Sequence, residues 1–162
     1  MRLISNLARI SPLADLEDSI KGSQLIIEDK VVIDSFVKIK FTGGLGDIRI
    51  GRGTVINSGV VIYSGNGVNI GEDVAIAANC TFAAVNHEFK RKDTLIKMQR
   101  FQPSRGGILI ENDVWIGANC VILDGAVIRQ GCVVGAGSLV KGELAAYSVS
   151  IGNPLRRIDW RL

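Results

Sequence analysis

A single histidine, His87, is the side chain best suited to acid–base chemistry in this sequence of 162 residues. Imidazole gains and loses a proton near neutral pH, so histidine is the usual group for removing a proton from an attacking hydroxyl or amine. His87 stands in the segment Asn86-His87-Glu88-Phe89. A lone histidine is by default an ordinary surface or core residue, so its place in the fold has to decide between the two interpretations.

A group of basic residues follows His87. Residues 88–109 contain six basic and two acidic side chains, an excess that could receive an anionic acceptor or could simply form a solvated basic loop. The basic residues are Lys90, Arg91, Lys92, Lys97, Arg100 and Arg105, and the acidic ones are Glu88 and Asp93.

Composition and charge narrow the possible functions. The chain has 19 basic and 16 acidic residues, a net charge of +3, which by itself indicates neither nucleic-acid nor membrane binding. We find no run of about 18 apolar residues and no secretory leader, so we expect a cytoplasmic protein without membrane insertion. Cys80, Cys120 and Cys132 include no CxxC pair, which argues against a disulfide framework and a zinc site, and we expect no metal.

A six-residue repeat runs through most of the chain. Large apolar side chains recur every six positions, and most are followed four residues later by a small or β-branched residue; all three cysteines fall in these small positions. A period of six suits neither a helix nor simple alternation, but it suits a three-sided coil in which each side is one hexapeptide. The large positions are Ile27, Ile33, Ile39, Ile50, Ile56, Ile62, Ile70, Ile76, Phe82, Ile110, Ile116, Ile122, Ile128, Val134 and Val140.

The repeat predicts one all-β domain over residues 1–162. Three hexapeptides per coil give a parallel β-helix of about five coils over residues 27–145. Extra residues on one side of the prism must leave the coil, and a protruding loop as long as 88–109 is usually functional. Segments 1–26 and 146–162 are predicted to be an N-terminal and a short C-terminal cap.

Several motifs resemble the hexapeptide-repeat acyltransferases, which include maltose, galactoside, serine and xenobiotic acetyltransferases and O-acetyltransferases of bacterial surface polysaccharides. The resemblance covers roughly residues 27–158 and implies a left-handed parallel β-helix, acetyl-CoA as co-substrate, and a homotrimer with active sites between subunits. The motifs are Ile50-Gly51, Ile70-Gly71, Asp113-Val114-Trp115-Ile116-Gly117-Ala118-Asn119, Val134-Gly135-Ala136-Gly137-Ser138-Leu139-Val140 and Gly152-Asn153-Pro154-Leu155-Arg156-Arg157-Ile158.

The resemblance also implies roles for individual residues. His87 matches the catalytic general base, because the family keeps a histidine at the start of such a loop, before the Trp-Ile-Gly block. Asn86, Glu88 or a backbone carbonyl could hold the ring tautomer by bonding its other nitrogen, and Asn86 and Glu88 are the expected substrate-binding residues. Backbone N–H groups near the thioester could stabilise the oxyanion of the reaction. The implied acetyl-CoA contacts are Trp115, Gly117, Ala118, Ala136, Lys141 and Arg156.

The resemblance favours transfer of acetyl to a hydroxyl of a sugar, either a glycan unit or a nucleotide-linked precursor. One alternative is an N-acetyltransferase of an amino sugar, which differs in the attacking atom. A second alternative, a β-helical carbonic anhydrase, would need imidazoles from several chains around one metal. A third is a non-enzymatic solenoid scaffold, which would need neither a metal nor a catalytic histidine. Two segments depart from the family pattern: Asp124-Gly125-Ala126 replaces Pro-Gly-Val, and Lys141-Gly142-Glu143-Leu144-Ala145 replaces Thr-Lys-Asp-Ile-Pro.

Overall fold

The computed structural model describes residues 1–162 as a stack of short strands with one helical turn, α1 (Ile96–Gln99). Each complete coil of the stack has three strands. Coils one to three contain β1 (Arg2–Ile4), β2 (Arg9–Ile10), β3 (Asp15–Leu16); β4 (Leu25–Ile27), β5 (Val32–Ile33), β6 (Lys38–Lys40); and β7 (Ile48–Ile50), β8 (Val55–Ile56), β9 (Val61–Tyr63). Coils four to six contain β10 (Val68–Ile70), β11 (Ala75–Ile76), β12 (Thr81–Ala83); β13 (Ile108–Ile110), β14 (Trp115–Ile116), β15 (Val121–Leu123); and β16 (Val127–Ile128), β17 (Val133–Val134), β18 (Leu139–Val140). The chain ends with β19 (Glu143–Leu144), β20 (Ser148–Ile151) and β21 (Arg156–Trp160).

The strands form three sheets that are the sides of a prism. Sheet A is β1-β4-β7-β10-β13-β16-β19, sheet B is β2-β5-β8-β11-β14-β17-β20-β21, and sheet C is β3-β6-β9-β12-β15-β18. Every pairing joins successive coils in parallel except β20 with β21, which is antiparallel. The fold is therefore the parallel β-helix that the repeat predicts, consistent with the left-handed form that the resemblance implies.

The interior is a single apolar column. All fifteen large repeat positions are buried, and so are the small residues between them. The apolar ones belong to one cluster of 29 residues, and the few others are buried residues with hydroxyl groups. Burying each aliphatic side chain contributes about 1.5–3 kcal/mol, so the column is the main source of stability. Every position that the repeat predicts to point inward is buried, so that prediction is confirmed; the cluster also contains Leu25, Ile48, Val68, Ala84 and Ile108, which the repeat does not predict.

The three cysteines are part of this column and are unpaired. Each thiol donates to a carbonyl of the next coil: Cys80 Sγ to Gly117 O at 3.1 Å, and Cys120 Sγ to Gly135 O at 3.2 Å. The neighbouring Cys120 thiol and burial both raise the pKa of Cys80. These thiols are structural donors inside the core.

The stack is longer than predicted, because the proposed N-terminal cap is wrong over its first half. Strands β1, β2 and β3 pair with the second coil and form a coil of their own. Ile10 and Leu16 continue the six-residue spacing and pack against the core. The residues between Leu16 and Leu25 leave the coil. This interruption breaks the six-residue spacing between the first coil and the positions that begin at Ile27.

The other boundaries differ less from the prediction. The long loop leaves after β12 and returns at β13, so it spans 84–107 instead of 88–109. Within the predicted C-terminal cap, β20 continues sheet B and β21 pairs with its outer edge, which covers the edge that β20 would otherwise expose. No helix in the structure is long and apolar enough to cross a lipid bilayer.

Candidate functional site

His87 lies at the base of the long loop, at the corner between sheets C and A. The two ends of the loop form a short antiparallel ladder, in which Glu88 N–H donates to Arg100 O at 3.0 Å and Gln102 N–H donates to Asn86 O at 2.8 Å. His87 faces Phe101 across this ladder, with their ring centroids 4.8 Å apart and an interplanar angle of 47°. The ladder therefore holds the imidazole at an exposed edge of the prism, where a ligand can reach it.

The ring of His87 is positioned by Phe101 and by no hydrogen bond within the chain. The Glu88 carboxylate instead accepts the N–H groups of Phe89 at 2.8 Å and Lys90 at 3.0 Å, and these donors, Lys90 first, lower the pKa of Glu88. Asn86 contributes its backbone carbonyl to the ladder. Phe101 was not predicted from the sequence, because the pairing of residues 87 and 101 depends on the path of the loop.

A buried carboxylate anchors the return of the loop. Asp124 is 4% exposed and accepts three N–H donors: Arg105 N at 2.9 Å, Gly107 N at 2.9 Å and Asn66 Nδ2 at 3.1 Å. Three donors stabilise a carboxylate that would otherwise be costly to bury. Asp124 stands where the family pattern Pro-Gly-Val has proline, and its role as an anchor explains this departure. The departure was the only sign of the anchor in the sequence.

The loop is also crosslinked internally by Gln99. Its Oε1 accepts Arg91 N–H at 3.0 Å, and its Nε2 donates to Arg91 O and Thr94 O, both at 2.7 Å. One side chain therefore satisfies three backbone groups on the two sides of the loop tip. The tip of the loop is therefore held together by hydrogen bonds within the loop.

Trp115 lies on the outward face of sheet B, between Ala75 and Val133 of the neighbouring coils, and is 53% exposed. Gly117, two residues later, donates its N–H to Val134 O at 2.8 Å, so this amide is not a free donor. A Cβ on Gly117 would lie 2.5 Å from Ala136 N, so glycine is required by the close approach of two coils. Gly117 serves the packing of the corner.

Two other backbone amides remain available at this corner between sheets B and C. Neither Ala118 N–H nor Ala136 N–H has a hydrogen-bond partner, whereas Ala118 O accepts Gly137 N–H at 2.8 Å. They belong to successive coils, so the two donors are stacked one above the other. Such a pair could bind a carbonyl oxygen or another acceptor of a ligand.

The predicted basic contacts, Lys141 and Arg156, are both exposed and take part in no ion pair. Lys141 follows β18 and therefore lies at the same corner as His87, two coils further along, whereas Arg156 is in β21 of sheet B. The predicted site residues thus lie on two parts of the prism, and one chain does not bring His87 and Trp115 into a common cleft. Clefts of about 510 and 520 Å³ on sheet A and about 710 Å³ along the loop contain neither residue.

Comparisons with known proteins extend these observations. A family model described as bacterial transferase hexapeptide (six repeats) matches residues 107–142. Galactoside O-acetyltransferase of Escherichia coli K12 is 34% identical over 116 residues, which are 69% of this chain and 53% of that protein. The putative lipopolysaccharide biosynthesis O-acetyl transferase WbbJ of the same strain is 33% identical over 135 residues, or 73% of this chain and 67% of that protein. The match therefore spans between about half and two thirds of these relatives.

A solved structure shares the fold over nearly the whole chain. It is a variant of AntD, an N-acyltransferase from Bacillus cereus, in complex with dTDP-4-amino-4,6-dideoxyglucose and coenzyme A. The TM-score is 0.82 with 24% identity, and the alignment covers 99% of this chain and 84% of that one. At this identity the similarity establishes a common architecture.

Proposed function

The chain belongs to the bacterial hexapeptide-repeat transferases, and from this premise we propose that it is an acetyl-CoA-dependent acetyltransferase acting on a hydroxyl of a sugar or glycan precursor. The observation that carries the proposal is the position of its only histidine, exposed and fixed against Phe101 at the base of the long loop. Two relatives that are one third identical, the galactoside enzyme and WbbJ, are named as O-acetyltransferases, which supports a hydroxyl as the acceptor.

His87 would act as the general base of a direct transfer. It takes the proton of the acceptor hydroxyl as that oxygen bonds to the acetyl carbon, and it returns the proton to the departing thiolate sulfur of CoA. The N–H groups of Ala118 and Ala136 would donate to oxygens of the bound thioester, while Trp115 covers the apolar part of the CoA arm. Lys141 and Arg156, both exposed and free of ion pairs, would meet the CoA phosphates.

We also propose that a homotrimer completes the site. His87 and Trp115 lie on different parts of one prism, so a second chain has to bring its face with Trp115 beside His87, at the base of the loop of the first. The outward column of sheet B is almost entirely apolar, which is suited to contact with another copy. From the second coil to the seventh it consists of Val32, Val55, Ala75, Trp115, Val133 and Val149.

The proposal is tested by measuring CoA release from acetyl-CoA with a panel of sugars and nucleotide-linked sugars, for the wild type, His87→Ala and Phe101→Leu. We expect acceptor-dependent release that falls on the order of 100-fold to 10,000-fold in His87→Ala, because the base is lost. Phe101→Leu keeps the base and should lose far less. Unchanged release in His87→Ala would exclude His87 as base, and the absence of both CoA binding and release would favour a scaffold.

A second candidate is N-acetylation of a nucleotide-linked amino sugar. It is favoured by the fold shared with AntD, whose structure holds a dTDP-linked amino sugar, and by the basic loop beside His87. An amine attacks a thioester more readily than a hydroxyl and still needs a proton acceptor. Matched amino and hydroxyl sugars in the same panel distinguish the two reactions. For either reaction we propose the cytoplasm, where unpaired thiols such as the three in this core are usual.

A further inference from the structure

The positive charge of the chain is concentrated on the long loop. Residues 84–107 carry six basic and two acidic side chains, a net charge of +4, whereas the whole chain has +3. The coil stack is therefore slightly negative. Within the loop, Asp93 pairs with Arg91 at 3.4 Å, whereas Glu88 accepts backbone N–H groups and forms no ion pair. Those without an ion pair are Lys90, Lys92, Lys97, Arg100 and Arg105.

The same loop displays large apolar side chains to solvent. Phe89 is 62% exposed, Leu95 68%, Ile96 57% and Met98 65%. Single exposed apolar residues are ordinary, but four within ten residues of one loop indicate an interaction surface. The hydrogen bonds of Gln99 hold the loop in this conformation, so the exposure does not result from an unstructured segment.

The apolar and basic groups face a common space. A cleft of about 710 Å³ is bordered by the apolar side chains of Phe89, Leu95 and Ile96. The same cleft is bordered by cations, among them Lys92 and Lys97. A surface that combines exposed apolar side chains with cations matches an amphiphile whose headgroup is anionic. Aliphatic side chains contribute little to stacking on bases, so this composition favours lipid over nucleic acid.

We propose that this loop docks the protein onto a membrane surface that contains anionic phospholipids. The exposed apolar side chains enter the boundary between headgroups and acyl chains, while the unpaired ammonium and guanidinium groups meet the lipid phosphates. The binding is peripheral and reversible, and it does not depend on the transfer reaction proposed above. It gives the exposed loop a partner that its charge and its apolar patch both fit.

The test is flotation of the full chain with two kinds of vesicle, one of phosphatidylcholine alone and one of phosphatidylcholine with phosphatidylglycerol. We expect binding to the anionic vesicles, much weaker binding to the neutral ones, and a decrease at high salt because salt screens the charges. Each basic residue near an anionic surface contributes about fivefold to binding, so Lys90→Gln, Lys92→Gln and Lys97→Gln combined should weaken it on the order of 100-fold.

Matched controls change the same groups elsewhere. Lys21→Gln, Lys30→Gln and Lys38→Gln combined remove the same charge outside the loop, at positions where these lysines are exposed. A second comparison sets the double variant Leu95→Ser, Ile96→Ser against the double variant Ile20→Ser, Leu45→Ser. Ile20 and Leu45 lie outside the loop and are 96% and 72% exposed. We expect a clear loss of vesicle binding only in the loop variants. Circular dichroism confirms that each variant is folded.

Four results would overturn the proposal. One is the absence of binding to anionic vesicles at low salt, and another is an equal loss of binding in the loop and control variants. The third is a change of sedimentation mass in the Leu95→Ser and Ile96→Ser variant, because the apolar patch would then be a contact between copies of the chain. Tighter binding to a single-stranded oligonucleotide than to vesicles would assign the loop to nucleic acid instead.

Discussion

His87 and Asp124 are linked to the two ends of one loop, and their surroundings are opposite. His87 is exposed, and its ring packs against the ring of Phe101. Asp124 is buried, and the donors around it leave little capacity for a ligand. We infer that His87, the proposed base, acts where the loop leaves the coil, whereas Asp124 fixes the loop where it returns.

Replacing Asp124 with Asn should therefore destabilise the fold. The amide retains the shape but places an NH₂ group against N–H donors, so at least one charge-assisted hydrogen bond is lost, at a cost of about 2 kcal/mol. Urea unfolding measures the free energy. The control is Asp34→Asn, because Asp34 is exposed and accepts only Ser35 N–H at 2.7 Å, and we expect it to cost less. Equal losses in the two variants would contradict an anchoring role for Asp124.

Among the elements of the structure, the loop of residues 84–107 depends on side chains that satisfy its own backbone. Gln99 joins the two sides of the tip, and Glu88 closes the turn that follows His87. Because no apolar core supports these residues, such hydrogen bonds decide the local conformation. Conditions that remove one of them should loosen the loop while the coil stack stays intact.

Acidification provides such a condition at Glu88. The N–H groups of Lys90 and Phe89 lower its pKa in the folded chain, so their stabilising effect is present above the ordinary glutamate pKa of about 4.3 and is lost as pH falls through the lower folded value. We expect amide protection at residues 89 and 90 to be constant near neutral pH and to decrease below pH 4. In Glu88→Gln this acid step should disappear, with the buried Ile116 amide as internal reference. An acid step that persists in the variant would assign it to another group.

How far the elements follow from the sequence depends on the range of the interactions. The strands are fixed by a local repeat, and so every large position from Ile27 to Val140 is buried as predicted. The first coil was missed because an interruption after Leu16 breaks the register. The role of Asp124 was not accessible, since its bond to Asn66 spans 58 positions and depends on which corners stack. The contact of His87 with Phe101 depends in the same way on the path of the loop.

For the whole molecule, we propose that copies of the chain assemble into the trimer through the outward face of sheet B. Val133→Lys would place a charge in the apolar column beside Trp115, and burying an unpaired ammonium against another copy is costly. We expect sedimentation to show a shift from trimer to smaller species. Val127→Lys makes the same change in the same coil on sheet A and should leave the trimer intact. A trimer that survives Val133→Lys but not Val127→Lys would move the interface to the other face.

The stacking of the coils has a consequence for how such proteins diversify. Val68 pairs with Ile48, which is 20 positions away, and with Ile108, which is 40 positions away. Doubling the length of a closed segment costs only about 0.6 kcal/mol in chain entropy. A single coil corner can therefore gain or lose a loop of more than twenty residues with little effect on the rest of the prism. The length of the loop and the packing of the prism can therefore change independently of each other.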